Sequence, residues 1–66
     1  MSDFYSIRIE RSHGYYFEVC FITDKFNVFV ERGDSILVHE LFTNKDDALN
    51  YFEEVYMEYT GEYLLD

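Results

Sequence analysis

Sixty-six residues, a single cysteine and a net charge of −9, from 14 acids against five Lys and Arg, set narrow limits. This length holds one domain with one small core, and one cysteine excludes an intrachain disulfide or a cysteine-rich zinc site, so reinforcement falls to aromatic packing, from seven Phe and seven Tyr, or to oligomerisation. The acid excess argues against direct binding to nucleic-acid phosphates, and no apolar run approaches the roughly 18 residues of a membrane span.

Four runs alternate with the period of a strand. The first, residues 4–11, sets Tyr5, Ile7 and Ile9 against Ser6, Arg8 and Glu10. Ser12, His13 and Gly14 read as a turn. The second, residues 15–23, sets Tyr15, Phe17, Val19 and Phe21 on one face. Asp24-Lys25 is the expected two-residue turn, although it lacks the usual glycine. The third, residues 26–32, groups Phe26, Val28 and Val30, and Gly33-Asp34 is a stronger turn signal. The fourth, residues 35–42, sets Ile36, Val38 and Phe42 against Leu37, His39 and Leu41.

The period then changes to 3.6, which predicts a helix over residues 44–60. Thr43 is placed to accept a hydrogen bond from a first-turn amide, with Asp46 reaching back. Ala48, Leu49, Phe52, Val55, Tyr56 and Tyr59 share one arc at 100° per residue. Asp46, Asp47, Asn50, Glu53, Glu54, Met57 and Glu58 share the opposite one. Gly61 suits a left-handed cap, and Tyr63-Leu64-Leu65 is expected to tuck back onto the sheet edge. Short connections make sequential strands neighbours. The predicted fold is α+β, a single domain over 1–66: a four-stranded antiparallel meander followed by one C-terminal helix packed on one face. The uncovered face keeps Tyr16, Cys20, Ile22 and Phe29, an apolar strip that calls for a partner or a homodimer.

Charge is divided unevenly along the chain. Residues 1–33 carry five acids and four cations, a net −1, whereas residues 34–66 carry nine acids and Lys45 alone, a net −8. Along a helix rising about 1.5 Å per residue, Asp46, Asp47, Glu53, Glu54 and Glu58 form a stripe roughly 18 Å long. Asp34, Glu40 and Glu62 extend it, and Tyr51 lies at its margin. Ordinary solvated helices mix signs to gain i,i+4 pairs. Here Glu54 faces Glu58, and Glu58 faces Glu62. Such a stripe imitates phosphates sparsely and attracts proteins built to hold nucleic acid.

Other chemistries find little support in the residues. His13 and His39 lie in a turn and a strand, with no metal-ligand spacing between them. Asp46-Asp47 and Glu53-Glu54 are adjacent pairs that point about 100° apart on a helix, and acid–base work needs a partly dry pocket. Cys20 sits in an apolar strand as a packing residue. No cofactor, metal or catalytic residue is expected. The lone cysteine and an N-terminus without a basic-then-apolar leader predict a cytoplasmic location.

Two binding readings follow: an inhibitor that occupies a basic, nucleic-acid-binding partner through acids, and an adaptor that homodimerises or augments a partner through apolar sheet surface and edge strands. In size, acidity and the acidic run from Asp46 to Glu62, the chain resembles the small antagonists that bacteriophages and mobile elements encode against DNA-targeting defences, the anti-restriction and anti-CRISPR proteins, several of which are DNA mimics. The resemblance implies a nuclease or defence complex in a bacterial host as the target. It carries over no functional residue.

Overall fold

The computed structural model describes residues 4–64. Four antiparallel strands, β1 (Phe4–Ser12), β2 (Tyr15–Ile22), β3 (Lys25–Arg32) and β4 (Ser35–Phe42), pair in sequence order. One helix, α1 (Lys45–Thr60), packs across the inner strands and β4 on one face of the sheet. This is the α+β meander that the change of period predicts. Leu65, the last residue of the expected Tyr63-Leu64-Leu65 tail, lies outside the described residues.

The three hairpins solve their turns differently. His13 and Gly14 have φ of 55° and 81°, the pair of positive values that a two-residue turn of type I′ requires. Between β2 and β3 the turn is Thr23-Asp24, one residue earlier than the expected Asp24-Lys25. Both residues take positive φ, 47° and 66°, without a glycine. A β-branched residue there is strained. The register is held instead by rings on the helix side, where Phe21 and Phe26 lie opposite each other at 5.0 Å. At Gly33-Asp34 only the glycine has positive φ, at 60°.

Both edge strands carry a bulge, and each reverses a face predicted by simple alternation. In β1 the register shifts between Ser6 and Arg8, so Ile7 is the extra residue. Ile7 packs against the core, Arg8 follows it to the helix side, and its guanidinium lies 6.0 Å above the Phe52 ring. Ile9, grouped by alternation with Tyr5 and Ile7, therefore turns to the open face opposite Glu18. In β4 the extra residue is Leu37. Val38 and Phe42 face the helix as predicted, but Ile36 is thrown to the open face opposite Glu31. Bulges at sheet edges bend the strand and break its row of free pairing groups.

The core is aromatic and aliphatic. Phe17, Val19, Val28 and Val30 from the sheet meet Ala48, Phe52 and Val55 from α1. Phe52 meets Phe17 edge-on at 6.4 Å, and Tyr56 tilts against Phe17 at 4.9 Å. Asn44, not Thr43, caps the helix. Its Oδ1 accepts from the Asp46 and Asp47 amides at 2.8 and 3.2 Å. Gly61 closes the other end in the left-handed conformation, with φ of 74° and its amide donating to the Met57 carbonyl at 2.7 Å.

The open face is made of four cross-strand rows fixed by the register. The first sets Phe4, Ile22 and Lys25 side by side. The second sets Ser6, Cys20, Asn27 and Leu41. The third sets Ile9, Glu18, Phe29 and His39, and the fourth Arg11, Tyr16, Glu31 and Ile36. Cys20 and Asn27 are buried at its centre by their neighbours, with Asn27 Oδ1 accepting from His39 Nε2 at 3.0 Å.

Candidate functional site

Helix α1 presents its acids to solvent because its apolar arc is fully used by the sheet. Asp46, Asp47, Glu53, Glu54 and Glu58 are all exposed, and among the described residues no ion pair reaches any of them. Asp46 and Asp47 lie in the first turn, where the helix dipole favours negative charge. No such benefit reaches Glu54 and Glu58, which stand one turn apart with like charge. The last turn holds no basic residue.

Tyr51, Glu54 and Glu58 lie along the flank of α1 nearest β4. Glu40 joins this flank although it belongs to the sheet: it pairs with Val28 and so points to the helix side of edge strand β4. Tyr51 is half-buried, its ring 5.3 Å from Phe42. Burial first, then the charges of Glu40 and Glu58, raise the Tyr51 hydroxyl above its ordinary pKa, with smaller contributions from Tyr59 and Glu54. The phenol is thus a neutral hydrogen-bond donor set among carboxylates, packed against the core rather than standing free at the margin of the stripe.

The outward side of α1 carries a shallow groove of about 310 Å³ lined by Asn50, Glu53, Glu54, Met57 and Tyr63, with Glu54 on the border between it and the Tyr51 flank. Tyr63, expected on the sheet edge, lies here instead and is 76% exposed. Leu64 is half-buried against the core. The Gly61 cap reverses the chain so that the following residues run back beside α1, and Gly61 is the sequence signal from which the placement of Tyr63 could have been read. Glu62 is exposed just past the cap, where its amide donates to Thr60 Oγ1 at 3.1 Å. Asp34 is exposed in the β3–β4 turn and does not line this groove. The structure therefore gathers Glu40, Asp46, Asp47, Tyr51, Glu53, Glu54 and Glu58 on and beside α1, with Glu62 just past its end and Asp34 in the β3–β4 turn.

The remaining reactive side chains lie elsewhere. Cys20 is 1% exposed, and burial, with the Glu18 charge second, pushes its thiol up to about 11. At neutral pH it is a protonated packing group. His13 is held in its turn by a 2.7 Å hydrogen bond between Ser12 Oγ and its Nδ1. His39 stacks on Phe29 at 4.3 Å on the open face. Among the described residues no three His, Cys, Asp or Glu side chains are grouped to hold a metal ion, and no helix is long and apolar enough to cross a membrane. Comparison with known protein families, with curated proteins and with solved structures gives no match.

Proposed function

We propose that the chain is a small non-catalytic inhibitor that occupies the nucleic-acid-binding surface of a basic protein or defence complex, of the restriction or CRISPR-effector kind, in the cytoplasm of a bacterial cell. The observation that carries this reading is the uncompensated acidic face of α1, whose exposed carboxylates have no cation partner among the described residues. From Asp46 to Glu58 five acids span roughly 18 Å. Duplex DNA presents about one charge per 1.7 Å of axis, so the face carries about half the charge of an equal length of DNA. That density attracts a lysine- and arginine-lined groove and steers encounter at low salt. The groove beside Glu53 and Glu54 adds the Met57 and Tyr63 side chains, apolar surface against which the alkyl stem of a partner's Arg or Lys packs while its head meets the carboxylates.

The test is capture from a bacterial lysate on wild-type protein and on the triple variant Glu53→Gln, Glu54→Gln, Glu58→Gln. Wild type is expected to hold a nucleic-acid-binding protein that salt elutes and that added duplex DNA displaces, and the variant to lose it while keeping its circular dichroism. A partner held equally by both baits through high salt overturns the reading. The adaptor alternative loses its edge-strand half to the bulges at Ile7 and Leu37, since a bent, interrupted edge is a poor template for a further strand. Its other half, the open face, remains.

A further inference from the structure

We infer that the open face of the sheet is a homodimer interface, closed by a second copy packed face to face. Ile36, Leu41 and Phe4 are 62%, 57% and 54% exposed on it, and Ile9 joins them. The two bulges turn Ile9 and Ile36 to the face that already holds Phe4 and Leu41, and among the described residues nothing packs over the four. Arg11 and Lys25 balance Glu18 and Glu31 there, so among the described residues a face of zero net charge sits on a chain of −9. A contact through the helix side sets acids against acids. The open face alone lets two copies meet without that repulsion, and their acidic helices then point away from each other.

Symmetry selects the arrangement. A two-fold axis lying in the face, across the strands and between its second and third rows, keeps each strand over its own copy and exchanges the first row with the fourth. Lys25 of one copy then lies over Glu31 of the other, and the contact occurs twice, as an isologous interface requires. Both residues sit on β3 and neither has an ion pair among the described residues. The usual angle of about 30° between packed sheets displaces the ends of the strands by about one strand spacing, roughly 5 Å, which a lysine side chain spans. An axis along the strands instead sets Lys25 over Ile22 and Glu18 over Phe29. Glu18 is the charge nearest the centre, and its oxygens already accept from Ser6 Oγ and, at 3.0 Å, from the Tyr16 hydroxyl, so covering it strands neither.

The area suffices. Four strands at about 4.8 Å spacing and about 25 Å of strand length give roughly 500 Å² of projected face per copy. Two copies bury about 1,000 Å² before side-chain relief is added, the size at which specific interfaces begin.

Sedimentation equilibrium from about 10 to about 500 μM covers the affinities such an area supports. Wild type is expected to approach twice its 8.0 kDa mass and to stay dimeric in high salt, where binding through the acidic helix is lost. The variant Ile36→Asp, Leu41→Asp should be monomeric throughout with its circular dichroism intact. Lys25→Glu or Glu31→Lys alone should weaken the dimer about tenfold or more, and the two together should bring it back to within about threefold of wild type. A wild-type monomer at every concentration overturns the proposal. So does an aspartate variant that dimerises as wild type does, or a double reversal no better than either single one.

Discussion

Replacing Phe52 by alanine removes a ring that is 0% exposed, meets Phe17 edge-on at 6.4 Å and lies 6.0 Å beneath the Arg8 guanidinium. Truncating a buried phenylalanine costs about 3–5 kcal/mol, through lost transfer energy and the cavity left behind. The helix rests on one side of a single sheet and can settle inward, which pulls the cost down. The ring's neighbours Phe17, Val28 and Ala48 are themselves fully buried and leave little slack, which holds it up. About 4 kcal/mol is the expected loss. A domain of this size has roughly 3–10 kcal/mol in total, at about 0.05–0.15 kcal/mol per residue, so the variant is largely unfolded near body temperature or close to it. Urea and thermal unfolding by far-ultraviolet circular dichroism, at one fixed protein concentration because self-association shifts midpoints by mass action, read the change. With about 4–8 °C per kcal/mol at this size, the melting temperature should fall by at least about 12 °C. Met57→Ala, on the exposed side of the same helix, should move stability by less than about 1 kcal/mol. A Phe52→Ala melt within about 4 °C of wild type refutes the packing of α1 described above.

Two further outcomes follow from single side chains. Burial raises the Cys20 thiol from the ordinary 9.0 to about 11, so the unfolded chain releases this proton first. The stability it contributes is complete below pH 9, falls as pH rises from 9 toward 11, and levels off above. Cys20→Ala removes that fall: the stability gap between wild type and variant should shrink by about 2 kcal/mol between about pH 8.5 and about pH 10.5. Tyr16 and Tyr51, also raised by burial and nearby acids, give both proteins the same remaining slope, and a pH-independent gap contradicts the burial of the thiol. At the helix start, Asn44→Ala should cost about 1 kcal/mol by urea titration, since it strips the acceptor from two first-turn amides. Thr43→Ala should cost less than about half of that, and equal losses would mean that the cap is shared.

The strands and helix were legible because their burial follows a simple period. Phe17, Val19, Val28 and Val30 alternate inward, and Ala48, Phe52 and Val55 recur at helical spacing, just as the core uses them. The bulges were not legible. Tyr5, Ile7 and Ile9 alternate without interruption, yet β1 is an edge strand beyond the main footprint of α1, so little core pins its register and a one-residue slip moves Ile9 across the sheet. Ile36 fails because Leu37 is an extra residue in β4, an edge strand paired on one side only, and the shift moves Ile36 across the sheet. The glycine-free turn after β2 was placed one residue late, at Asp24-Lys25 rather than Thr23-Asp24, because local preference does not weigh the ring packing between Phe21 and Phe26 that accompanies the earlier register. Thr43 and Asn44 are both good caps one residue apart, and local preference alone does not choose between them. The acids of α1 could be placed from helical spacing, but Glu40 joins them only through sheet register, and Tyr51 proved to be packed rather than free.

The two proposed surfaces lie on opposite sides of the sheet and answer to different forces. Charge on the helix side weakens with salt, because screening shortens to about 8 Å at physiological ionic strength, whereas apolar contact on the open side does not. In a dimer joined by its open faces, sheets packed about 10 Å apart with a helix about 10 Å beyond each put the two acidic helices roughly 30 Å apart, facing outward. Each then meets a separate basic groove, and a target with two such grooves on one assembly is held by both helices of one dimer only if its geometry matches that span. The Ile36→Asp, Leu41→Asp variant separates the two properties. It keeps every carboxylate of α1, so its intrinsic affinity for a single basic groove should equal that of wild type. Its binding to a two-groove assembly should fall by the avidity that dimerisation supplied, about 10²-fold or more. Equal loss at both targets would mean that the open face itself touches the partner, and the division of labour between the two sides of the sheet would not hold.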